Sequence, residues 1–420
     1  LCQTFISQYN QNSFKDDFNY KLIIELCPEN TKPSDLRKAI DKEEENKIPY
    51  FFDFPYEDEW RIDYVSQPGK PGLLYKNEEA KKKIYKTVKY LVKKFGNNLL
   101  KGNSILNISF PVFIFDKRTL HQAFCHEHRL APFFLSLAAI TKDTFERLKW
   151  VTVHLMSFIH LTTTQIKPFN PLIGETFQCR IGNMKLYLEQ TANHPITANF
   201  YGIDDEKTYE LFGFQITDAQ VNINQVSAIR LGYYFIRFLK DNTYYRIRIP
   251  DCVVKGITMG DRTFNYEGKA LVIDINNKLC SFIEFNPGQK KGLLGGFFGK
   301  KKEFPDFFQG DIVNTQFVNV DEKGSNHSLI KVYTSLCHIT GEWTNNICFD
   351  EKEYWNQSED RYLMMYHDEN ILLRSDGSLR TDLLCFQKGK EEASQKEKER
   401  LENRQRDDRK LRSEFASKKK

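Results

Sequence analysis

The chain has 420 residues, 40% hydrophobic and 28% charged, a length and balance that suit one large core with an attached segment and exclude a small single domain. A net charge of +5 does not make nucleic acid the default partner, although local basic patches can still meet anionic lipid or phosphate. Nine cysteines, odd in number and without a C-x-x-C pair, argue against a disulfide or zinc framework and fit a reducing cytosol.

The aromatic share of 14%, with 34 Phe and 20 Tyr, points to a strand-rich protein. The longest apolar run, Leu130 to Ile140, is broken by Pro132 and too short to span a bilayer. No secretory signal is evident. The chain starts at Leu1 rather than Met, so a fragment is expected, and whether an upstream targeting or membrane-binding domain precedes it is left open by the sequence.

In chain order, residues 1–75 are polar and punctuated by "SQPGKPG" (Ser66 to Gly72), which predicts a tail with little core of its own. From Asn77 to Leu100 the period becomes helical. Ile84, Val88, Leu91, Val92 and Phe95 recur at three- and four-residue steps opposite lysines, with Gly96 as a stop. Residues 117–163 read as helices. In the clearest, Thr141 to Leu161, the stripe is Phe145, Leu148, Val151, Leu155 and Phe158, and Thr141 serves as a cap.

Beyond Phe177 the period drops to two. Gly232 to Pro250 reads as two strands around a turn at Asp241-Asn242, and Ala270 to Phe285 as two around Asn276-Asn277. Ser328 to Trp343 reads as a further strand region. So many antiparallel strands must curl or close to remove their edges, and a closed sheet of that size can hold a ligand. The segment Lys388 to Arg412 is almost free of apolar residues and reads as a solvated helix or a disordered tail.

Few residues suggest catalysis. "HEH" places His126 and His128 two apart in a helical pattern, where side chains diverge, so they read as surface residues rather than metal ligands. No G-x-S-x-G, P-loop or G-x-G-x-x-G follows a strand. Lys398, Glu402 and Arg406 stand at i, i+4 and i+8. A carboxylate between two cations can hold both in register and present them to a phosphate; an ordinary salt-bridged surface helix is the alternative. In "KPFNPLIGETF", Lys167 and Asn170 sit across a turn stiffened by Pro168 and Pro171, where donors can be held ready without loss of entropy on binding; taken alone these residues read first as a structural turn. Leu172, Ile173 and Phe177 are expected to fasten that turn to the core.

These residues carry a resemblance. "KPFNPLIGETF" resembles the signature of the oxysterol-binding protein family, and "EQTANHPITA" (Glu189 to Ala198) resembles its second signature, usually Glu-Gln-Val-Ser-His-His-Pro-Pro. "NISFPVFIFDKRTL" (Asn107 to Leu120), "ERLKWVTVHLMSFIH" (Glu146 to His160) and Leu379 to Arg412 are similar to further family segments in the same order. The resemblance implies an α+β fold: an incomplete antiparallel β-barrel around a hydrophobic tunnel, with an N-terminal lid and helices and a C-terminal helical subdomain. Residues 76–165 then supply lid and helices, 166–345 the barrel and 346–420 the C-terminal subdomain.

The implied function is lipid transfer without covalent chemistry. A sterol or phospholipid such as phosphatidylserine is extracted and exchanged for phosphatidylinositol 4-phosphate by a cytoplasmic protein peripheral to organelle membranes or contact sites. A sensor without net transfer and a lipid head-group enzyme are the alternatives. No cofactor or metal is implied. The resemblance assigns the headgroup to Lys167, Asn170, Asn193, His194, Lys398, Glu402 and Arg406, with Pro168, Pro171, Gly174 and Glu175 as structural signature residues. Asn193 stands where the family has its first histidine, and Ile196 replaces a proline. Asn keeps an NH₂ donor but never a charge, so weaker phosphate binding is expected, with sterol-only binding as the alternative. "GLLGGFFGKKK" (Gly292 to Lys302) suits either a dip into an anionic membrane or a loose hairpin. Phe51 and Phe52 follow an acidic run. They resemble the motif by which some family members bind an endoplasmic-reticulum receptor, with departures at Tyr50 and Phe54; an acidic linker is the alternative.

Overall fold

A computed structural model describes residues 64–66, 72–95, 101–104, 109–159, 161, 167–193, 195–286, 306–320, 327–357, 365–366 and 373–418. Phe51, Phe52, Gly96, His194 and the Gly292 to Lys302 segment lie outside the described residues.

The chain enters through β1 (Tyr64–Ser66) and β2 (Leu73–Tyr75), a short antiparallel pair. Although a tail is expected over 1–75, β2 pairs with a central barrel strand and Tyr75 is buried in the core. The buried Asp306 carboxylate fixes the entry by accepting the Gly72 N–H at 2.8 Å. The lysine-rich periodic segment forms α1 (Glu78–Phe95), followed by β3 (Lys101–Ser104). A parallel strand β4 (Phe115–Thr119) then leads into three helices, α2 (Leu120–Glu127), α3 (Ala131–Ile140) and α4 (Thr144–Ile159).

Thr119 starts α2 with a complete capping box: its hydroxyl accepts from Gln122 N–H while the Gln122 side chain accepts from Thr119 N–H. Thr141, expected to cap α4, instead closes α3, its hydroxyl donating to Leu137 O at 2.7 Å. Asp143 caps α4 by accepting the Glu146 N–H at 2.7 Å. Asp143→Ala is expected to cost about 1 kcal/mol of stability, whereas the cap assignment to Thr141 puts that loss on Thr141→Ala; urea unfolding of the two variants separates them.

α4 is more than one apolar stripe. From Val151 to Ile159 every residue is buried, because the helix lies against β-strands on several sides. His126 and His128 are likewise buried rather than on the surface. Burial pulls the His128 imidazole down to about 4, so it is neutral, and it stacks on Phe124 and Phe158 with centroids 4.3 Å and 5.1 Å away.

After β5 (Lys167–Phe169), which pairs in parallel with β4, the antiparallel meander begins. It runs β6 (Thr176–Ile181), β7 (Met184–Asn193), β8 (Ile196–Asp204), β9 (Tyr209–Asn222) and β10 (Gln225–Phe238), each paired with the next. β11 (Thr243–Arg248) and β12 (Asp251–Lys255) share β10 between them and both pair with β13 (Thr263–Asp274). β14 (Leu279–Phe285) and β15 (Phe307–Asn314) continue the sheet, with β16 (Val318–Val320) and β17 (His327–Leu329) as a separate ribbon. β18 (Cys337–Glu342), β19 (Asn346–Phe349) and β20 (Lys352–Asn356) extend it, and β21 (Met365–Tyr366) adds to β6 at the other end.

Among the described residues the end strands β20 and β21 do not pair, so the 17-stranded sheet curls without closing. Both two-strand turns fall where the asparagines stand, as connections between Phe238 and Thr243 and between Asp274 and Leu279. In the second turn the left-handed residue is Lys278 at φ 57°, because Asp274 holds both the N–H and the side-chain NH₂ of Asn277 at 2.9 Å. Ser328 to Trp343 is not one strand region: it is split between β17 and β18, and Val332 in the gap is 83% exposed. The chain ends in α5 (Thr381–Gln387) and α6 (Glu391–Lys418), the latter 28 residues and about 42 Å long. The charged segment therefore resolves as a helix. Among the described residues no helix is long and apolar enough to cross a membrane.

Candidate functional site

The first signature forms one wall of a cleft of about 340 Å³. β5 puts Lys167 at its start, and Phe169 anchors the strand by packing on Phe115 at 4.6 Å and Phe386 at 5.7 Å. The Lys167 ammonium donates to Asn170 Oδ1 at 2.6 Å and to Pro168 O at 3.2 Å, and lies 4.8 Å from the Phe115 ring centroid. An ammonium has three donors, so among the described residues one remains for a ligand.

The turn after Pro171 is held by its own glutamate. Glu175 Oε2 accepts the Leu172 N–H at 2.8 Å, and Gly174 donates to Gln190 O at 2.8 Å across to β7. Gly174 sits at φ +78° with open space where a Cβ would stand, so glycine is needed there for its backbone and not for room. Glu175 in turn meets Arg380, whose guanidinium donates to Glu175 Oε2 at 3.0 Å, to Asn170 O at 2.7 Å and to both oxygens of Asp382 at 2.7 and 3.0 Å. A Cβ at Gly377 would lie 2.6 Å from Glu175 Oε1, so a glycine there lets the chain close over the carboxylate. Burial lifts the Glu175 carboxyl to about 7 against the pull of Arg380. The rim is thus pinned from below by a buried arginine shared between two carboxyl groups. Of the apolar anchors expected for it, Phe177 is buried, but Ile173 is 42% exposed and faces the cleft because the turn stands proud of the core.

The opposite wall is α6. Its helical spacing brings Lys398, Glu402 and Arg406 to the cleft together, with Gln405 and Arg409 on the same face. Lys398 is buried and donates to Glu402 and, at 3.1 Å, to Ser109 Oγ, while Ser109 donates to the other Glu402 oxygen at 2.7 Å. Arg406 reaches Glu402 at 3.2 Å and Asn403 at 2.7 Å from an exposed position. Burial first, and Lys398 second, pull the Lys167 ammonium down to about 7, with Glu402 opposing. Among the described residues the cleft therefore gathers more cations than its one lining carboxylate, Glu402, can neutralise, which suits an anion.

Asn193 also lines the cleft and donates through Nδ2 to Gln405 Oε1, while its own carbonyl oxygen accepts from Gln190 at 3.0 Å. The structure thus brings Lys167, Asn170, Asn193, Lys398, Glu402 and Arg406 to one place; His194 lies outside the described residues. Ser109, Phe115, Arg380, Gln405 and Arg409 line it as well and carry no mark that singles them out in the sequence. Gln405 and Arg409, seven and eleven residues after Lys398, are nonetheless within reach of the same helical spacing.

An antiparallel sheet that curls without closing, helices buried against it and a cation-lined cleft at its rim define a class by fold: an incomplete barrel with a basic rim. The oxysterol-binding protein family profile matches residues 96–420, and the chain belongs to that family. It is 32% identical over 317 residues to oxysterol-binding protein 9 of Dictyostelium discoideum, covering 75% of this chain and 73% of that relative. It is 24% identical over 328 residues to oxysterol-binding protein-related protein 5 of Mus musculus, covering 73% of this chain but 34% of that relative. Among solved structures, the Osh3 ORD of Saccharomyces cerevisiae in complex with PI(4)P is similar with a TM-score of 0.59 and 18% identity, covering 78% of this chain and 84% of that one. The Osh1 ORD in complex with ergosterol is similar at 0.57 and 20%, covering 76% and 80%. These likenesses establish the shared incomplete-barrel fold.

Proposed function

We propose that the chain is a lipid-transfer domain that takes a sterol or phospholipid into its barrel and alternates it with phosphatidylinositol 4-phosphate, whose headgroup sits in the cleft between the first signature and α6. One observation carries the reading: among the described residues Lys167 and Lys398, distant in sequence, each keep a donor unspent at a cleft where Arg406 and Arg409 add charge. A phosphomonoester is strongly anionic and offers several acceptor oxygens, which is what such a cleft satisfies. Its fatty chains need apolar surroundings, and the main core cluster draws apolar side chains from each of β8 to β13, among them Phe200, Leu211, Ile236, Ile247, Cys252 and Val272. Membership of the family and the ligands of the Osh3 and Osh1 structures favour the same assignment.

The protein acts by binding and release, with no bond made or broken, at the surface of organelle membranes. The test is extraction from mixed liposomes offering sterol, phosphatidylserine and phosphatidylinositol 4-phosphate separately and then in competition. Extraction of the phosphoinositide and of one competing lipid is expected. A domain that stays folded and extracts none of the three ends the transfer reading. Product analysis of the same liposomes should show the lipids chemically unchanged.

A further inference from the structure

In the described cleft the two signature loops do not face empty space: each sends a donor to the same oxygen. Asn193 Nδ2, from the end of β7, and the Ile173 backbone N–H, 3.4 Å away in the first-signature turn, both donate to Gln405 Oε1. Gln190, fully buried, fixes the direction of the Asn193 amide by donating to its carbonyl at 3.0 Å, so the NH₂ must point towards α6. Gln405 is half-buried and lines the cleft one residue before Arg406. A backbone N–H and a side-chain amide converging on one oxygen, beside two ammonium groups, are donors of the kind a phosphate oxygen takes.

We propose that Gln405 is a displaceable internal ligand of the cleft, its amide oxygen holding the Asn193 and Ile173 donors that a phosphate oxygen of the entering headgroup takes over. The proposal rests on the headgroup reading above and adds to it a residue that sets which ligands gain entry. A neutral amide oxygen is a weaker acceptor than a phosphate oxygen, whose charge-assisted bonds are about twice as strong. Exchange is therefore favourable for an anionic headgroup. It is unfavourable for a ligand whose polar end is a hydroxyl, which leaves Gln405 in place. This gives Asn193 a role that a histidine would fill differently: a neutral amide can be held by Gln405 in the unliganded state without a stranded charge.

The experiment compares wild type, Gln405→Ala and Gln405→Glu, each checked for an unchanged melting transition. Binding is measured to phosphatidylcholine vesicles containing phosphatidylinositol 4-phosphate and, separately, to inorganic phosphate. Removing the internal acceptor is expected to tighten vesicle binding about 2- to 10-fold, the worth of one or two neutral hydrogen bonds no longer to be broken. Gln405→Glu is expected to weaken it, since a carboxylate competes better and repels the phosphate. The same order with inorganic phosphate assigns the incoming oxygen to phosphate alone; the order appearing only with vesicles assigns it to the headgroup held by its lipid. If Gln405→Ala binds vesicles equally or more weakly while wild type binds well, Gln405 is scaffold and the proposal is wrong. If wild type, Gln405→Ala and Lys398→Ala are all silent towards the phosphoinositide, the headgroup reading itself has failed.

Discussion

Replacing Arg380 by methionine is expected to lower the unfolding free energy by about 3 to 5 kcal/mol, the cost of leaving buried charges without their partner. The Arg380 side chain is 6% exposed, those of Glu175 and Asp382 2% and 0%. Methionine fills much of the volume but supplies none of the four donor contacts. It leaves one carboxyl group without its ion pair at the base of the rim and another, Asp382, in the first turn of α5. The Asn170 carbonyl loses its bond too, so the rim that carries Lys167 should loosen with the core. The defect should depend on pH. Burial already lifts Glu175 from 4.5 to about 7 with Arg380 present, so the native state takes up a proton in that window. The Glu175 contribution to stability therefore falls as pH rises from 4.5 through 7. Without Arg380 its pKa moves higher still, and the variant should regain stability as the solution is acidified towards pH 5. Urea midpoints at pH 5 and pH 8, with Glu175→Gln as the second arm of a double-mutant cycle, measure both effects. A loss below about 1 kcal/mol, equal at the two pH values, would show that the network is not charged in the way the geometry implies.

What is legible in the sequence follows the range of the signal. The period of 3.6 marks α1 and α4, and the period of two marks the hairpins at Asp241-Asn242 and Asn276-Asn277, because each is written in neighbouring residues. The spacing of Lys398, Glu402 and Arg406 is legible for the same reason, whereas their approach to Lys167 comes from the resemblance and not from spacing. His126 and His128 are misplaced on the surface because the local pattern cannot show that α2 is covered by barrel strands on the far side. Thr141 and Asp143 are both good cap residues, and only the chain direction after α3 decides between them. Arg380 carries no local mark at all: its partner Glu175 lies 205 residues away, and a lone arginine before a short helix is unremarkable in one dimension.

Replacing Lys398 by alanine is expected to weaken phosphatidylinositol 4-phosphate binding by about 10- to 100-fold, the range of one charge-assisted hydrogen bond lost in a half-buried site. The pH profile should change with it, which a simple loss of shape would not produce. In the wild type two titrations oppose each other. The headgroup phosphate gains its second charge near pH 6, which strengthens binding as pH rises. Lys167, pulled down to about 7 by burial and then by Lys398, loses its charge above that point, which weakens binding. Affinity should therefore peak between about pH 6 and 7 and fall on both sides. Lys398→Ala removes the repulsion that helps to depress Lys167, so the alkaline limb should move to higher pH even as the affinity drops. Glu402→Gln should move it the other way, since Glu402 is the group that supports the charged form of Lys167. Vesicle binding from pH 5.5 to 9 in all three proteins reads these shifts directly. An alkaline limb that stays in place in Lys398→Ala would mean that Lys167 does not sense Lys398, and that the two lysines do not share the ligand.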